Sequence, residues 1–309
     1  MENNVPFSNG AQFHIWIRTK EQLAALIDFS GKNDISISRI TLDCDFVLTD
    51  DRFVGDNTAK LFRMIPNVRQ WCISLPENIR LSDSEDLHKI LLLVEKNTCF
   101  DGIICCDLEG LGYLIDHEYP GNIYADHSIY LWNSSAVTEM NEFLDGACLP
   151  LELKGAKQRD LIRACKEPKT LFRGKNNGSI PVWEKFIYGH IPMMVTAGCV
   201  AKTMTGCKKN VLDANAQDGG IIFIKDRLSK YFPVLLKCRH CMNIIYNSVP
   251  LSLHKEIEKW ISLVLLRLHF TTESYEDTYK ILKFYFIDRD TGEFPFAEYT
   301  TGYEKRGVE

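Results

Sequence analysis

Four cysteines are spaced as ligands: Cys199 and Cys207, with seven residues between them in GCVAKTMTGC, and Cys238 and Cys241 in KCRHC. The second pair is a C-x-x-C turn, which brings two sulfurs to one ion or to one face of a cluster. Thirty residues separate Cys207 from Cys238, so two short segments can converge on one centre. The first pair is too widely spaced for a zinc-ribbon knuckle, whereas iron–sulfur clusters tolerate wider spacing. The spacing therefore predicts a metal centre on these four thiolates, with iron–sulfur ahead of zinc. Two unrelated cysteine pairs in a glycine-containing loop are the alternative. The other seven of the eleven cysteines sit singly or inside apolar runs and read as small core or surface residues.

Charge sharpens this segment. From Cys199 to Cys241, eight lysines and arginines face three aspartates, giving +5 within a chain of −5. A basic segment on an acidic body can draw an anionic partner, RNA or a small carboxylate substrate. Lys202, Arg227 and Arg239 are candidates to hold it. The same cations would also offset the charge of four thiolates.

Other candidates sit where β-rich runs end: Asp43 and Asp45, Asp107 and Glu109, Asp126 and His127, Glu152 and Lys154, His190, and His269. Acidic residues in such places either face a site or cap the next helix. His190 could pair with Cys199 as in a thiol peptidase, or simply make a structural hydrogen bond. Neither HExxH nor GxSxG occurs.

What must position these residues is a recurring unit, a short β-rich run followed by a helical pattern. FHIWIR, RITLDCD, VRQWCISLP, GIICCD, NIYADHS, CLPLELK, KFIYGH and LLRLHF are the strand candidates. Amphipathic stretches such as TKEQLAALIDF and SEDLHKILLLVEKN follow. Strands alternating with helices imply parallel βαβ units. Eight units in 309 residues predict a TIM-like (β/α)8 barrel with a cysteine-rich insertion between strands seven and eight. The expected divisions are 1–190 for the first seven units, 191–264 for the insertion, and 265–309 for the last unit and tail. An open doubly wound sheet is the runner-up, weakened because no strand leads into a glycine-rich phosphate turn.

Composition excludes several classes. Hydrophobic residues at 45% and charged residues at 25% are an ordinary globular mix, not a disordered one. A pI of about 5.9 argues against a chain that coats nucleic acid with its whole surface. The N-terminus has no apolar stretch after a basic start, and the apolar runs near Ile221 and Val264 are far short of a membrane span. The expectation is a cytoplasmic protein with reduced thiols and no membrane contact.

The run YGHIPMMVTAGCVAKTMTGC, then KDRLSKYFPVLLKC, then CMNIIYNSVPLSL, resembles the U-thirty-two (collagenase-like) peptidase family. TTGYEKRGVE is similar to that family's usual ending, and DGIICCDLEGLGYL, IYADHSIYLWNSSA and LPLELK match more weakly. The likeness is to the C-terminal half of the family's long members. It implies a barrel fold and a 4Fe-4S iron–sulfur cluster on Cys199, Cys207, Cys238 and Cys241. It also implies oxygen-independent hydroxylation of tRNA, rRNA or a quinone precursor, or collagenase-like peptidase activity. Asp126 and Glu152 fall in family-like motifs and become, with His190, the expected acid/base or substrate-orienting residues. Departures are Gly198 in place of a common glutamine, Lys154 in place of asparagine, Cys106-Asp107 in place of Arg-Asn, and Tyr303 in place of histidine. The long members' cysteine-rich first half has no counterpart here. A non-catalytic module with a structural metal, served by a protein supplying that half, is thus a further alternative.

Overall fold

The computed structural model describes residues 10–53, 57–96, 99–166, 182–206, 220–290 and 292–308. Six β-rich runs form the first strands: β1 (Phe13–Ile17), β2 (Arg39–Leu42), β3 (Trp71–Ser74), β4 (Gly102–Cys105), β5 (Asn122–Ala125) and β6 (Gly146–Cys148). After β7 (Val182–Gly189) the chain leaves the repeat to build β8 (Pro192–Thr196), β9 (Ile221–Lys225), β10 (Tyr231–Lys237) and β11 (Met242–Tyr246). It returns through β12 (Leu251–Ser252), antiparallel to β7, and β13 (Leu265–His269), which lies parallel between β7 and β1. Because β6 also pairs with β7, strands β1 to β7 and β13 close into an eight-stranded parallel barrel. This is the expected TIM-like barrel, with its insertion between the seventh and eighth barrel strands.

Helices cover the barrel: α1 (Lys20–Lys32), α2 (Cys44–Thr49), α3 (Asn57–Phe62), α4 (Ser84–Lys96), α5 (Leu108–Asp116), α6 (Ser134–Met140) and α7 (Gly155–Lys166). Within the insertion lies α8 (Val200–Thr205), and after β13 comes α9 (Tyr275–Lys283), which packs against α1 to complete the ring. The starts have chemical causes. Thr19 and Gln22 form a capping box on α1, and Asp43, Asp107, Asn133 and Ser274 cap α2, α5, α6 and α9. The strands are buried on both faces, which is why they read as nearly continuous apolar runs.

The inserted strands form their own antiparallel sheet in the order β8-β11-β10-β9. That sheet ends at Tyr246, and residues 251–264 pack back on the barrel, where Trp260 is fully buried. Strand alternation gives the small sheet two faces. Leu235, Ile244 and Tyr246 point one way, whereas Val234, Leu236 and Ile245 pack the other way with α8.

Polar layers fill much of the barrel interior. Parallel register sets His14 of β1 between Arg39 of β2 and Arg267 of β13. All three converge on Glu184 of β7, which is 1% exposed. His14 Nδ1 donates to Glu184 at 2.9 Å, and Thr41 donates to its Nε2 at 2.8 Å. Burial pulls His14 down to about 4, so it stays neutral. Arg39 also stacks on Tyr124, 3.5 Å from the ring centroid.

Candidate active site

A cavity of about 310 Å³ lies between the C-terminal mouth of the barrel and the inserted sheet. Barrel-strand ends form its floor and β8 and β11 its roof. Active sites of barrels of this kind form at that face, because every loop following a strand opens there. Asp126, Glu152 and His190, drawn from three separate loops, all line this one cavity, as do His127 and His269.

Asp126 follows β5 and is 5% exposed. It pairs with Arg267, and His127 Nδ1 lies 2.8 Å from its Oδ2. Burial alone would raise its pKa, but the charges of His127 and Arg267 outweigh that and hold the carboxyl well below the usual range. Glu152 is half-buried and accepts from the Tyr130 hydroxyl at 3.5 Å. Tyr130 stands in left-handed backbone, φ 57°, which turns its ring toward the cavity wall. His190 Nδ1 lies 2.8 Å from the Asn247 carbonyl. A carbonyl only accepts, so Nδ1 carries the proton and Nε2 is left as the ring's acceptor. This is the structural hydrogen bond of the two readings. Pairing with Cys199 is not formed, because Cys199 packs with the opposite face of the inserted sheet and its Sγ accepts the Lys202 amide.

Aromatic rings build the floor. His269 stacks on Trp16 at 4.5 Å and on Phe186 at 5.4 Å, and His127 stacks on Phe186 at 6.1 Å. Burial and the Arg267 charge keep His269 neutral, well below its ordinary pKa. The buried Trp16 Nε1 and His269 Nδ1 have no hydrogen-bond partner among the described residues. Asp107 proves to be a helix cap as well as a lining residue, accepting the amides of Ile79 and Gly110 at 2.7 and 2.8 Å.

A second charged cluster, unforeseen from the sequence, fastens the roof. Lys237, at the end of β10, is 1% exposed, with its Nζ 2.9 Å from Asp45, 2.8 Å from Glu77 and 3.5 Å from Asp43. Arg18 reaches Asp43 at 2.7 Å and Glu77 at 2.5 Å. His240, in the β10–β11 turn, contacts Asp45 at 2.9 Å and Asp83 at 3.1 Å. Asp43, Cys44 and Asp45 bring three ligand-type atoms within 4.8 Å of one another. The Lys237, Arg18 and His240 cations already occupy those carboxylates, and burial pushes the Cys44 thiol well up, so the cluster is a latch and not a cation site.

The basic candidates separate. Lys202 and Arg227 are exposed on the insertion. Arg239 is spent on Asp86, with contacts of 2.5 and 3.0 Å, and so serves to dock the roof. Of the cysteines, Cys199 caps α8 and packs with Cys238 in one apolar cluster on the outer face of the inserted sheet. Cys241 is exposed in left-handed backbone, φ 51°, in the same turn as Cys238. Cys207 lies outside the described residues. Among the described residues no helix is long and apolar enough to cross a membrane.

No protein-family model matches the chain, and no curated protein matches it. Solved structures similar to it include a candidate fructose-1,6-biphosphate aldolase of Coccidioides immitis, at 13% identity and TM-score 0.39, covering 57% of this chain and 64% of that one. A dipeptide epimerase of Enterococcus faecalis V583 matches at 11% identity and TM-score 0.36, covering 58% of this chain and 49% of that one. An aldolase of Escherichia coli K12 matches at 11% and TM-score 0.35, covering 57% of this chain and 66% of that one. The matches thus span less than two thirds of each of these proteins.

Proposed function

We propose that the chain is an enzyme of the U-thirty-two peptidase type, working as an iron–sulfur-dependent hydroxylase or RNA-modification component, with the roofed cavity as its active site. The observation that carries this reading is the meeting of Asp126, Glu152 and His190 in one cavity at the barrel mouth. Asp126, against which His127 Nδ1 lies, holds that imidazole in the cavity wall beside the bound substrate. His190, with Nδ1 tied to Asn247, offers Nε2 as a proton acceptor. Glu152 orients the substrate's polar groups beside Tyr130. The roof excludes water from the floor.

Two of the four thiols have surroundings that support a cluster. Cys199 accepts an amide N–H at 3.3 Å, a donor of the kind that stabilises thiolate sulfur, and an apolar shell of Val200, Val234 and Leu236 surrounds Cys199 and Cys238. Cys199, Cys207, Cys238 and Cys241 would hold the cluster. When bound it would supply one-electron chemistry. Zinc on the same thiolates would make the site structural.

An RNA substrate is supported by the β9–β10 hairpin. Phe223 and Tyr231 stand 61% and 56% exposed beside Lys225 and Arg227, so rings for base stacking alternate with cations for phosphates. Metal and sulfide analysis of anaerobically purified protein tests the reading. Iron and sulfide in comparable amounts, lost in Cys238→Ser, are expected. Colourless protein with stoichiometric zinc would overturn it.

A further inference from the structure

Every lysine and arginine near the cavity stands behind its wall. Arg267 pairs with Asp126 from inside the barrel, and Arg18 and Lys237 neutralise Glu77 from the latch. No lysine or arginine lines the cavity among the described residues. Two of its carboxylates, Glu152 and Asp107, have no ion-pair partner in the described structure. Glu152 meets the Tyr130 hydroxyl and Asp107 meets two amides. Much of the remaining wall is aromatic or soft, with Trp16, Phe186, Tyr130, Tyr246, Met193 and Met194 beside the imidazoles of His127, His190 and His269. Uncompensated carboxylate among π-faces attracts organic cations and repels carboxylates and phosphates.

Trp16 is 3% exposed and presents its ring, stacked on His269, to the cavity floor.

We propose that the cavity selects a positively charged, ring-bearing organic ligand, an amine or amidine, and rejects anions of the same shape. Glu152 reads the cation, and the aromatic wall around Trp16 takes the ring. The two faces of the insertion then divide the work by sign: its exposed hairpin is basic, and its covered face closes an acidic, aromatic chamber. This rests on the reading that the cavity is the active site.

Three probes of one shape test it: 4-methoxybenzamidine, 4-methoxybenzamide and 4-methoxybenzoate, titrated by ligand-observed NMR at neutral pH. The amidine should bind at least tenfold more tightly than the benzoate, with the amide between them. Glu152→Gln should weaken the amidine about tenfold and leave the amide within twofold. Trp16→Leu, which removes the ring from the floor, should weaken amidine and amide alike, several-fold. Benzoate binding as tightly as the amidine, or no binding by any probe, overturns the proposal. An amidine preference that neither substitution changes means binding elsewhere, and it overturns both this proposal and the cavity as active site. Absence of iron and sulfide, by contrast, strikes the hydroxylase reading and leaves the charge preference standing.

Discussion

The Lys237 ammonium, carried by the inserted sheet, lies 2.9 Å from the Asp45 carboxylate at the mouth of the barrel. Two elements far apart in sequence are thereby joined at a point with almost no solvent. Burial would lower the lysine's pKa, but Asp43, Asp45 and Glu77 outweigh it and hold the ammonium well above its ordinary value. Lys237→Met should leave three carboxylates short of a cation and cost about 3–5 kcal/mol in denaturant unfolding, the usual penalty for breaking a buried ion pair. Hydrogen exchange of residues 231–246 should rise more than that of β1 or β2. Equal protection in variant and parent would mean that the roof is held by its apolar face and not by this lysine.

The latch should also respond to alkali. Burial depresses His240, but the hydrogen bond and charge of Asp45 more than reverse this and raise it to about 9. A raised folded-state pKa stabilises the fold fully below the unfolded value of about 6.5, and that gain disappears as pH climbs through 9. His14 acts on the other side. Buried and neutral down to about 4, it costs stability as pH falls from about 6.5 toward 4, because only the unfolded chain takes up the proton. Thermal stability should therefore peak near neutrality. His240→Gln should flatten the alkaline limb and leave the acid limb unchanged. An unchanged alkaline limb in that variant would remove His240 from the account.

Glu184 is the acceptor on which His14, Arg39 and Arg267 depend. Glu184→Gln keeps its shape but deprives two buried guanidiniums of their shared counter-charge. A loss of about 3–5 kcal/mol is expected, with Arg267 left to Asp126 alone. Chemical denaturation measures it. A loss below about 1 kcal/mol would show that water or rearranged partners replace the carboxylate.

The barrel was legible because strands buried on both faces concentrate apolar residues, and helices between them carry capping residues at their starts. The sixth strand was expected from Cys148 but runs Gly146–Cys148, since after Leu149, whose amide still donates to Glu184 of β7, Pro150 has no N–H to give and the chain turns. Asp126, Glu152 and His190 were legible as strand-end residues because closing a barrel necessarily brings strand ends together. The latch was not. Lys237 in FPVLLKC looks like one more cation of a basic insertion, and nothing local links it to carboxylates nearly two hundred residues earlier. Arg239 was misleading for the same reason. Only the Glu184 network inside the barrel had a signal, the charges within apolar strand runs, Arg39 in RITL and Arg267 in LLRLH, because a charge seldom enters such a strand without a buried partner.

Gly189 ties the fold to the cavity. At φ +139° it occupies backbone that side chains rarely adopt, and an added Cβ would stand 2.3 Å from the His269 carbonyl oxygen. That oxygen belongs to the backbone, so Gly189→Ala must push β7 and β13 apart where the β7–β13 register already shifts, between Arg267 and Leu268. His269 would move with its backbone, away from its stack on Trp16. Strain of this kind costs about 1–3 kcal/mol, which a barrel of this size can absorb and remain folded. The cavity floor has less tolerance, because a displaced ring spoils stacking and hydrogen bonding together. Gly189→Ala should therefore lower the melting temperature by only a few degrees but weaken 4-methoxybenzamidine more than tenfold, and indole fluorescence should change as His269 leaves Trp16. Affinity and fluorescence both kept at parent values would show that the close approach of Gly189 to His269 does not set the shape of the floor.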